Sequence, residues 1–310
     1  MDVLHDILDT LDLKGVVYFR THFSAPWATT VPDFQQAARF HLVVQGQCHL
    51  SVPGGSEVLL GPGDLALVPG GRAHILADRF SDTAPPLETV LSEAGYDGKG
   101  VLVLGEGDSR AATQMICGHL SFRPDARHPL LDALPDLIHV SASDRVDLPI
   151  LDEVLRLIAR RIFSEGAGAT AAVTRMSEIV FIEVLRQAIA ARPGRAHLLS
   201  AFNNRHIGKA LALMHAEPAR RWTVDELAQA VGMSRSRFSD RFAELTGQSP
   251  MAYLADWRLQ KALALLGDAR CSIQEVANET GYLSPAAFTR AFAGKFGQPP
   301  TAYRRSLQAI

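Results

Sequence analysis

Among the histidines and cysteines of the first 120 residues, His41, His74, Cys117 and His119 stand out as candidates for a metal or a redox site. Cys117 and His119 stand two residues apart, so on a β-strand they share one face. Three imidazoles and a thiolate make a sensible tetrahedral set for a divalent metal such as zinc. The same groups, with Cys48 as a second thiol, can instead form a redox switch, which needs a partly exposed cysteine of lowered pKa. A third reading keeps the cysteines as small buried hydrophobes and satisfies the histidines inside the core. The remaining cysteine, Cys271, stands just before a helix-capping serine and is read as incidental. A second set of candidate side chains lies in the last ninety residues or so, where the sequence repeats.

From Trp222 to Tyr303 the second half echoes the first at a period of about fifty residues. Thr223-Val-Asp-Glu226 returns as Ser272-Ile-Gln-Glu275, and Gly232 as Gly281. Ser234, Phe238, Phe242 and Pro250 return as Ser284, Phe288, Phe292 and Pro300. Two copies are too few for a solenoid. Each copy predicts helix, tight turn, helix. Thr223 and Ser272 read as N-caps whose glutamate three residues on closes a capping box. Gly232 and Gly281 supply the left-handed residue that ends the first helix. Ser234 and Ser284 read as caps of the second helices, with Pro285 suited to a first turn. The phenylalanines recur at helical spacing and face a small core. This is the helix-turn-helix plan, in which the second helix enters the major groove.

The tail Gly281-Tyr282-Leu-Ser284-Pro-Ala-Ala-Phe288-Thr-Arg290-Ala-Phe292, followed by Phe296-Gly297-Gln-Pro-Pro300, resembles the DNA-binding domain of the AraC/XylS family of bacterial transcription regulators. The resemblance implies two helix-turn-helix units joined by one long helix, here Met251 to Leu266, reading successive major grooves about 34 Å apart. Exposed positions early in a recognition helix reach base edges. That selects Arg235, Ser236, Ser239 and Asp240 in the first unit and Pro285, Ala286, Thr289 and Arg290 in the second. Arg290 is the best single candidate, because a guanidinium forks to guanine O6 and N7. Asp240 either accepts from cytosine or pairs within its helix with Arg237 or Arg241. Arg237, Arg241, Lys295 and Arg304 are candidates for phosphate contacts.

Upstream, from about Val16 to Phe122, short apolar or alternating runs are punctuated by glycine and proline, which predicts an antiparallel barrel or sandwich. Gly63, Pro69-Gly-Gly71 and His74 look like the second sequence motif of the cupin barrel, and His41 stands at the position of the first. There a second histidine is missing, and Arg39 lies near where the metal-binding glutamate of cupins would fall. Cupin-motif positions usually face the barrel interior. Ile116-Cys117-Gly118 and His128-Pro-Leu-Leu-Asp132-Ala-Leu-Pro135 resemble the cupin-like sensor of a subgroup of AraC-family regulators. Helices are expected over Leu148 to Ser164 and Ala171 to Ala191, either covering the barrel or pairing two subunits. Arg192-Pro193-Gly194 reads as a linker, and Arg205 to Met214 as the first helix of the last domain.

The expected architecture is therefore α+β with two domains: a cupin-like sensor over 1–147, a helical pair over 148–191, a linker over 192–203 and a DNA-binding domain over 204–308. Charge follows this division. From Arg205 onward 14 Lys+Arg face 9 Asp+Glu, a balance of +5, which leaves −7 upstream. The basic end is where phosphates are met. Three scattered cysteines make no disulfide framework, and Met1 to Asp12, with four aspartates, shows no secretory or membrane signal. The resemblance implies double-stranded DNA as partner, a homodimer, RNA polymerase if the protein activates, and no membrane. It implies the bacterial cytoplasm, and the nucleoid when bound to DNA. The effector is expected to be a small molecule or an oxidant. The competing reading is a metal-dependent cupin enzyme carrying a DNA-binding tail, although no nucleophile-and-base constellation or phosphate-binding loop supports it.

Overall fold

The alternating runs form strands and the capped, periodic runs form helices in a computed structural model that describes residues 2–34, 37–105, 111–161, 167–190 and 198–308. In chain order the first elements are α1 (Val3–Leu11), β1 (Lys14–Phe23), β2 (Ala28–Val31), β3 (Ala37–Gln45), β4 (Cys48–Ser51), β5 (Glu57–Leu60), β6 (Leu65–Val68) and β7 (His74–Ala77). There follow α2 (Leu87–Glu93), β8 (Val101–Leu104), β9 (Gln114–Ser121), α3 (Pro129–Asp132), β10 (Ile138–Val140), α4 (Pro149–Arg161) and α5 (Ala169–Ala190). The last stretch is helical throughout: α6 (Leu198–Asn203), α7 (Arg205–Ala216), α8 (Val224–Ala230), α9 (Arg235–Thr246), α10 (Pro250–Leu266), α11 (Ile273–Glu279), α12 (Pro285–Phe296) and α13 (Pro300–Gln308).

These elements form two compact units. The sheet unit comprises Leu13–Phe122 and Leu134–Gln187. Its strands lie in two sheets, ordered β10-β6-β3-β9-β1-β8 and β2-β7-β4-β5. Pairing is antiparallel except between β1 and β8, which run parallel, a departure from the all-antiparallel expectation. The inward residues of both sheets share one core, with Phe23, Val43, Ala66 and Met115 from the larger sheet and Val31, Leu50, Leu60 and Leu76 from the smaller. Burial of this kind stabilises by about 25 cal/mol per Å² of apolar surface. Helix α5 lies on β1: a Cβ at Gly15 would come within 2.3 Å of Ser177 Oγ, and the Gly15 amide donates to Glu178 Oε1 at 3.1 Å. The Phe181 ring packs on Phe122 with centroids 5.8 Å apart. Each of the two expected helices has one buried face, and that of α5 meets β1.

The helical unit comprises Met1–Asp12, Arg123–Ala133 and Ala188–Ile310, and so takes in two segments from the first half of the sequence. Met1 to Asp12 reads in the sequence only as lacking a signal, whereas Val3–Leu11 form a helix capped by the Asp2 carboxylate, with Ile7, Leu8 and Leu11 buried. Residues 198–203, expected in the linker, are helical because Leu198, Leu199 and Ala201 have a core to enter. The Arg192-Pro193-Gly194 break lies outside the described residues. Both capping boxes form, at Thr223 with Glu226 and at Ser272 with Glu275. Gly281 takes φ +78, and a Cβ there would meet the Ala219 backbone at 2.8 Å, so a side chain is excluded twice over. Ser284 caps α12 by accepting from the Ala287 amide, whereas Ser234 sits at the cap of α9 without a side-chain bond.

Candidate nucleic-acid interface and interior pocket

The register of β3 against β9 sets Arg39 opposite His119 and His41 opposite Cys117. Period-two alternation then brings all four toward one interior. Gly118 lies between them because the Phe40 ring crosses over it, and a Cβ there would approach that ring to 2.6 Å. His74 enters from β7 of the other sheet, 2.8 Å from His41 between their Nε2 atoms.

Hydrogen-bond chemistry orders the protons along His74, His41 and Cys117. The Arg72 carbonyl can only accept, so His74 donates to it from Nδ1 at 2.8 Å and leaves its Nε2 bare. His41 therefore donates from Nε2 to His74, and its own bare Nδ1 accepts from the Cys117 thiol at 3.1 Å. Burial, reinforced by His74 and Arg39, holds His41 well below its ordinary pKa of 6.5. Burial, partly offset by the Arg72 carbonyl and aided by Arg39, brings His74 down to about 4. His119 falls to about 4 through burial and then Arg39. Both imidazoles of the relay are neutral at pH 7, as this donor order requires.

These observations correct two sequence readings. Cys48 and Cys117 are buried, and burial pushes the Cys48 thiol up to about 12 and the Cys117 thiol higher still. A sensing thiolate needs the opposite environment. The partner of Cys117 is His41 rather than His119. A cupin-type metal also does not fit these residues. Cys117 and His74 sit on the two different nitrogens of the His41 ring, so the donors do not converge, and among the described residues no three His, Cys, Asp or Glu groups gather around one point. The guanidinium of Arg39, 6% exposed, adds a positive charge where a cation would have to sit. That charge favours an anion or an oxygen acceptor.

The same interior holds a small cavity of about 20 Å³, lined among others by Thr29, Arg39, His41, Leu76 and Cys117. This is room for about one water-sized group. The Thr29 hydroxyl is 2% exposed and lacks a hydrogen-bond partner among the described residues. Sequence reading passed over Thr29, since a lone threonine on a short strand carries no motif.

In the helical unit the reading ends of α9 and α12 lie open. Arg235, Ser236, Asp240, Ala286 and Arg290 are exposed, while Ser239, Pro285 and Thr289 are half-buried. Arg235 pairs with Asp225 at 3.2 Å in a solvated contact of little net strength. Asp240 takes the Ser236 hydroxyl at 3.4 Å, and Arg241 pairs with Glu244 at 2.7 Å, so the expected pairing of Asp240 with Arg237 or Arg241 does not form. Arg237 is exposed. Lys295 lies in the last turn of α12, away from Pro285 and Ala286, and pairs with Asp256 at 2.9 Å. Arg304 is half-buried and donates from Nε to the Leu266 carbonyl, at the C-terminal end of α10, at 3.3 Å. Arg258 ties the turn before α8 to α10 by donating to the Pro218 and Arg220 carbonyls.

Together these features define a class: a two-sheet cupin-like domain with a small cavity between its sheets, and a helical domain with two helix-turn-helix units. Residues 2–190 match the Cupin family and residues 227–306 the Helix-turn-helix domain family. The chain is 30% identical over 307 residues to the HTH-type transcriptional regulator AlkR of Acinetobacter baylyi, covering 98% of this chain and 99% of that one. It is 31% identical to a putative AraC-like transcription regulator of Streptomyces lividans, over 98% of each chain. Among solved structures, the DNA-binding domain of AdpA in complex with a target DNA is 32% identical over 34% of this chain and 96% of that chain, with a TM-score of 0.33. The chain belongs to the AraC family of DNA-binding transcription regulators, with a cupin domain ahead of its helix-turn-helix domain.

Proposed function

We propose that the chain is a sequence-specific regulator whose cupin domain binds a small molecule and so alters how two helix-turn-helix units meet successive major grooves. The division of labour follows the sequence boundaries: sensing over 1–147, packing helices over 148–191 and DNA binding over 204–308. The observation that carries the reading is the duplicated unit, in which both left-handed glycines, both capping boxes and both exposed reading ends are kept. Base readout falls to Arg235, Ser236, Ser239 and Asp240 in one unit and to Pro285, Ala286, Thr289 and Arg290 in the other. Arg237 and Arg241 meet phosphates. Lys295 joins them only by leaving Asp256.

The interior pocket supports an effector with an oxygen acceptor or a carboxylate, since its lining offers Arg39 and the Thr29 hydroxyl and no acidic side chain. At about 20 Å³ it takes a very small group, or it widens on binding. The enzyme alternative lacks a convergent ligand set. A homodimer is supported by apolar residues left exposed in and before the packing helices, namely Val146, Ile150, Leu157 and Ile179. RNA polymerase is the further partner where the bound site activates a promoter. Among the described residues no helix is long and apolar enough to cross a membrane. The cytoplasm is the proposed location because the target is chromosomal DNA.

Selection of binding sites from random duplexes, followed by anisotropy titrations, tests the reading. Arg290→Ala is expected to relax preference at one position by about 1–3 kcal/mol. An equal loss on every sequence would remove Arg290 from base readout.

A further inference from the structure

The two helix-turn-helix units share one plan but have turns of different length. The Gly232 and Gly281 amides donate to the Gln229 and Asn278 carbonyls of their first helices, at 3.1 and 3.0 Å. The Met233 and Tyr282 amides follow, on the Ala228 and Ala277 carbonyls at 2.9 and 2.8 Å. To this point the copies match bond for bond. Ser234, at the cap of α9, comes next in the first unit, whereas in the second Leu283 stands between Tyr282 and the cap Ser284. A hydrophobic residue just before an N-cap often packs on the fourth residue of the helix, here Phe288. Tyr282 takes that place instead, its ring centroid 5.5 Å from that of Phe288. Ser284 is committed on the other side, accepting from the Ala287 amide at 3.2 Å. Between these two fixed neighbours Leu283 is left 74% exposed at the entry to α12.

The residues that follow are apolar too. Aligned on the caps, Arg235, Ser236 and Arg237 of the first unit correspond to Pro285, Ala286 and Ala287 of the second. The first three can donate or accept through their side chains, and the last three cannot. In the major groove an apolar side chain has one base feature to recognise, the C5-methyl of thymine. We propose that Leu283 is a specificity-determining residue that packs on a thymine methyl in the part of the site met by the second unit. The inference rests on the proposed function, since it takes the leading end of α12 to lie in the major groove. It divides the labour between the units. The first reads by hydrogen bonds from Arg235 and Ser236. The second reads a methyl at its leading turn and leaves hydrogen bonding to Arg290, one turn beyond Ala286. Taking about one methyl group out of water is worth about four-fold in affinity.

Anisotropy titrations of the full chain on a duplex it selects, with each thymine in turn replaced by deoxyuridine, test the inference, because that exchange removes only the C5-methyl. The natural chain is expected to bind about four-fold more weakly when one particular thymine is replaced. Leu283→Ala removes an exposed side chain, so its melting temperature should be unchanged. On the unmodified duplex it is expected to bind about four-fold more weakly, and to be indifferent to the methyl at that one position while keeping any other methyl dependence. Three results would overturn the inference and leave selective binding intact: a selected site without a preferred thymine, affinity indifferent to every thymine methyl, or a Leu283→Ala chain with the full methyl dependence. The last of these, with natural affinity, would assign the exposed leucine to a protein partner. A chain that selects no sequence at all would overturn the proposed function and this inference with it.

Discussion

At the scale of single residues, protonation is what the interior of the sheet unit controls most tightly. His41 and His74 are neutral and committed to a directed run that ends on the Arg72 carbonyl. Because both sit below their ordinary value when folded, they contribute stability that is complete above about 6.5 and lost as pH falls below it, for His74 toward about 4. We expect His74 to cost roughly 2 kcal/mol between pH 7 and pH 5, read as a fall in melting temperature that is reduced in His74→Gln. A melting temperature flat across this range would mean that the imidazoles are charged or solvated. The thiols give an independent check. At pH 8 iodoacetamide should modify Cys271, which is partly exposed, well before the buried Cys48 and Cys117. Rapid labelling of Cys117 would restore the redox reading. Arg39 is the residue whose significance was half legible: its place beside a cupin motif was plain, but only the register opposite His119 places its charge near the histidines.

At the scale of elements, the helices that cap themselves were the readable ones. The Thr223 and Ser272 boxes, the turn glycines and the span of α10 all depend on neighbours within a few residues, so their signals are local in sequence. Helix α1 was not readable for the opposite reason. Its buried face, Ile7, Leu8 and Leu11, and its acid, Asp6, meet partners more than two hundred residues away, and periodicity in nine residues cannot announce a remote core. His128 to Pro135 stands out in the sequence as a motif without a place in the fold, since nothing local says that His128 will meet Tyr253. Gly281 makes the element-scale prediction. With φ +78 and the Ala219 backbone 2.8 Å from any Cβ, Gly281→Val should destabilise the second helix-turn-helix by roughly 1–3 kcal/mol, checked by thermal melting of the full chain. An unchanged melting curve would show that the turn before α12 can rearrange freely.

At the scale of the whole molecule, a small cavity in one unit and two helix-turn-helix units in the other belong to one family of regulators. A signal can act only by binding two arrangements of these units with different free energies, so the effector should change DNA affinity, and DNA should change effector affinity by the same factor. For the proposed homodimer, Leu157→Glu, at a position 41% exposed, is expected to shift dimer to monomer in sedimentation without lowering the melting temperature. Unaltered sedimentation would put the interface elsewhere. The central claim is that one chain reads two successive major grooves, and hydroxyl-radical footprinting of the full chain on a selected duplex tests it most directly. The account expects two protected patches per chain, about one helical turn apart on one face, with Arg290→Ala weakening only one of them. A single patch per chain, or protection that ignores sequence, would contradict it.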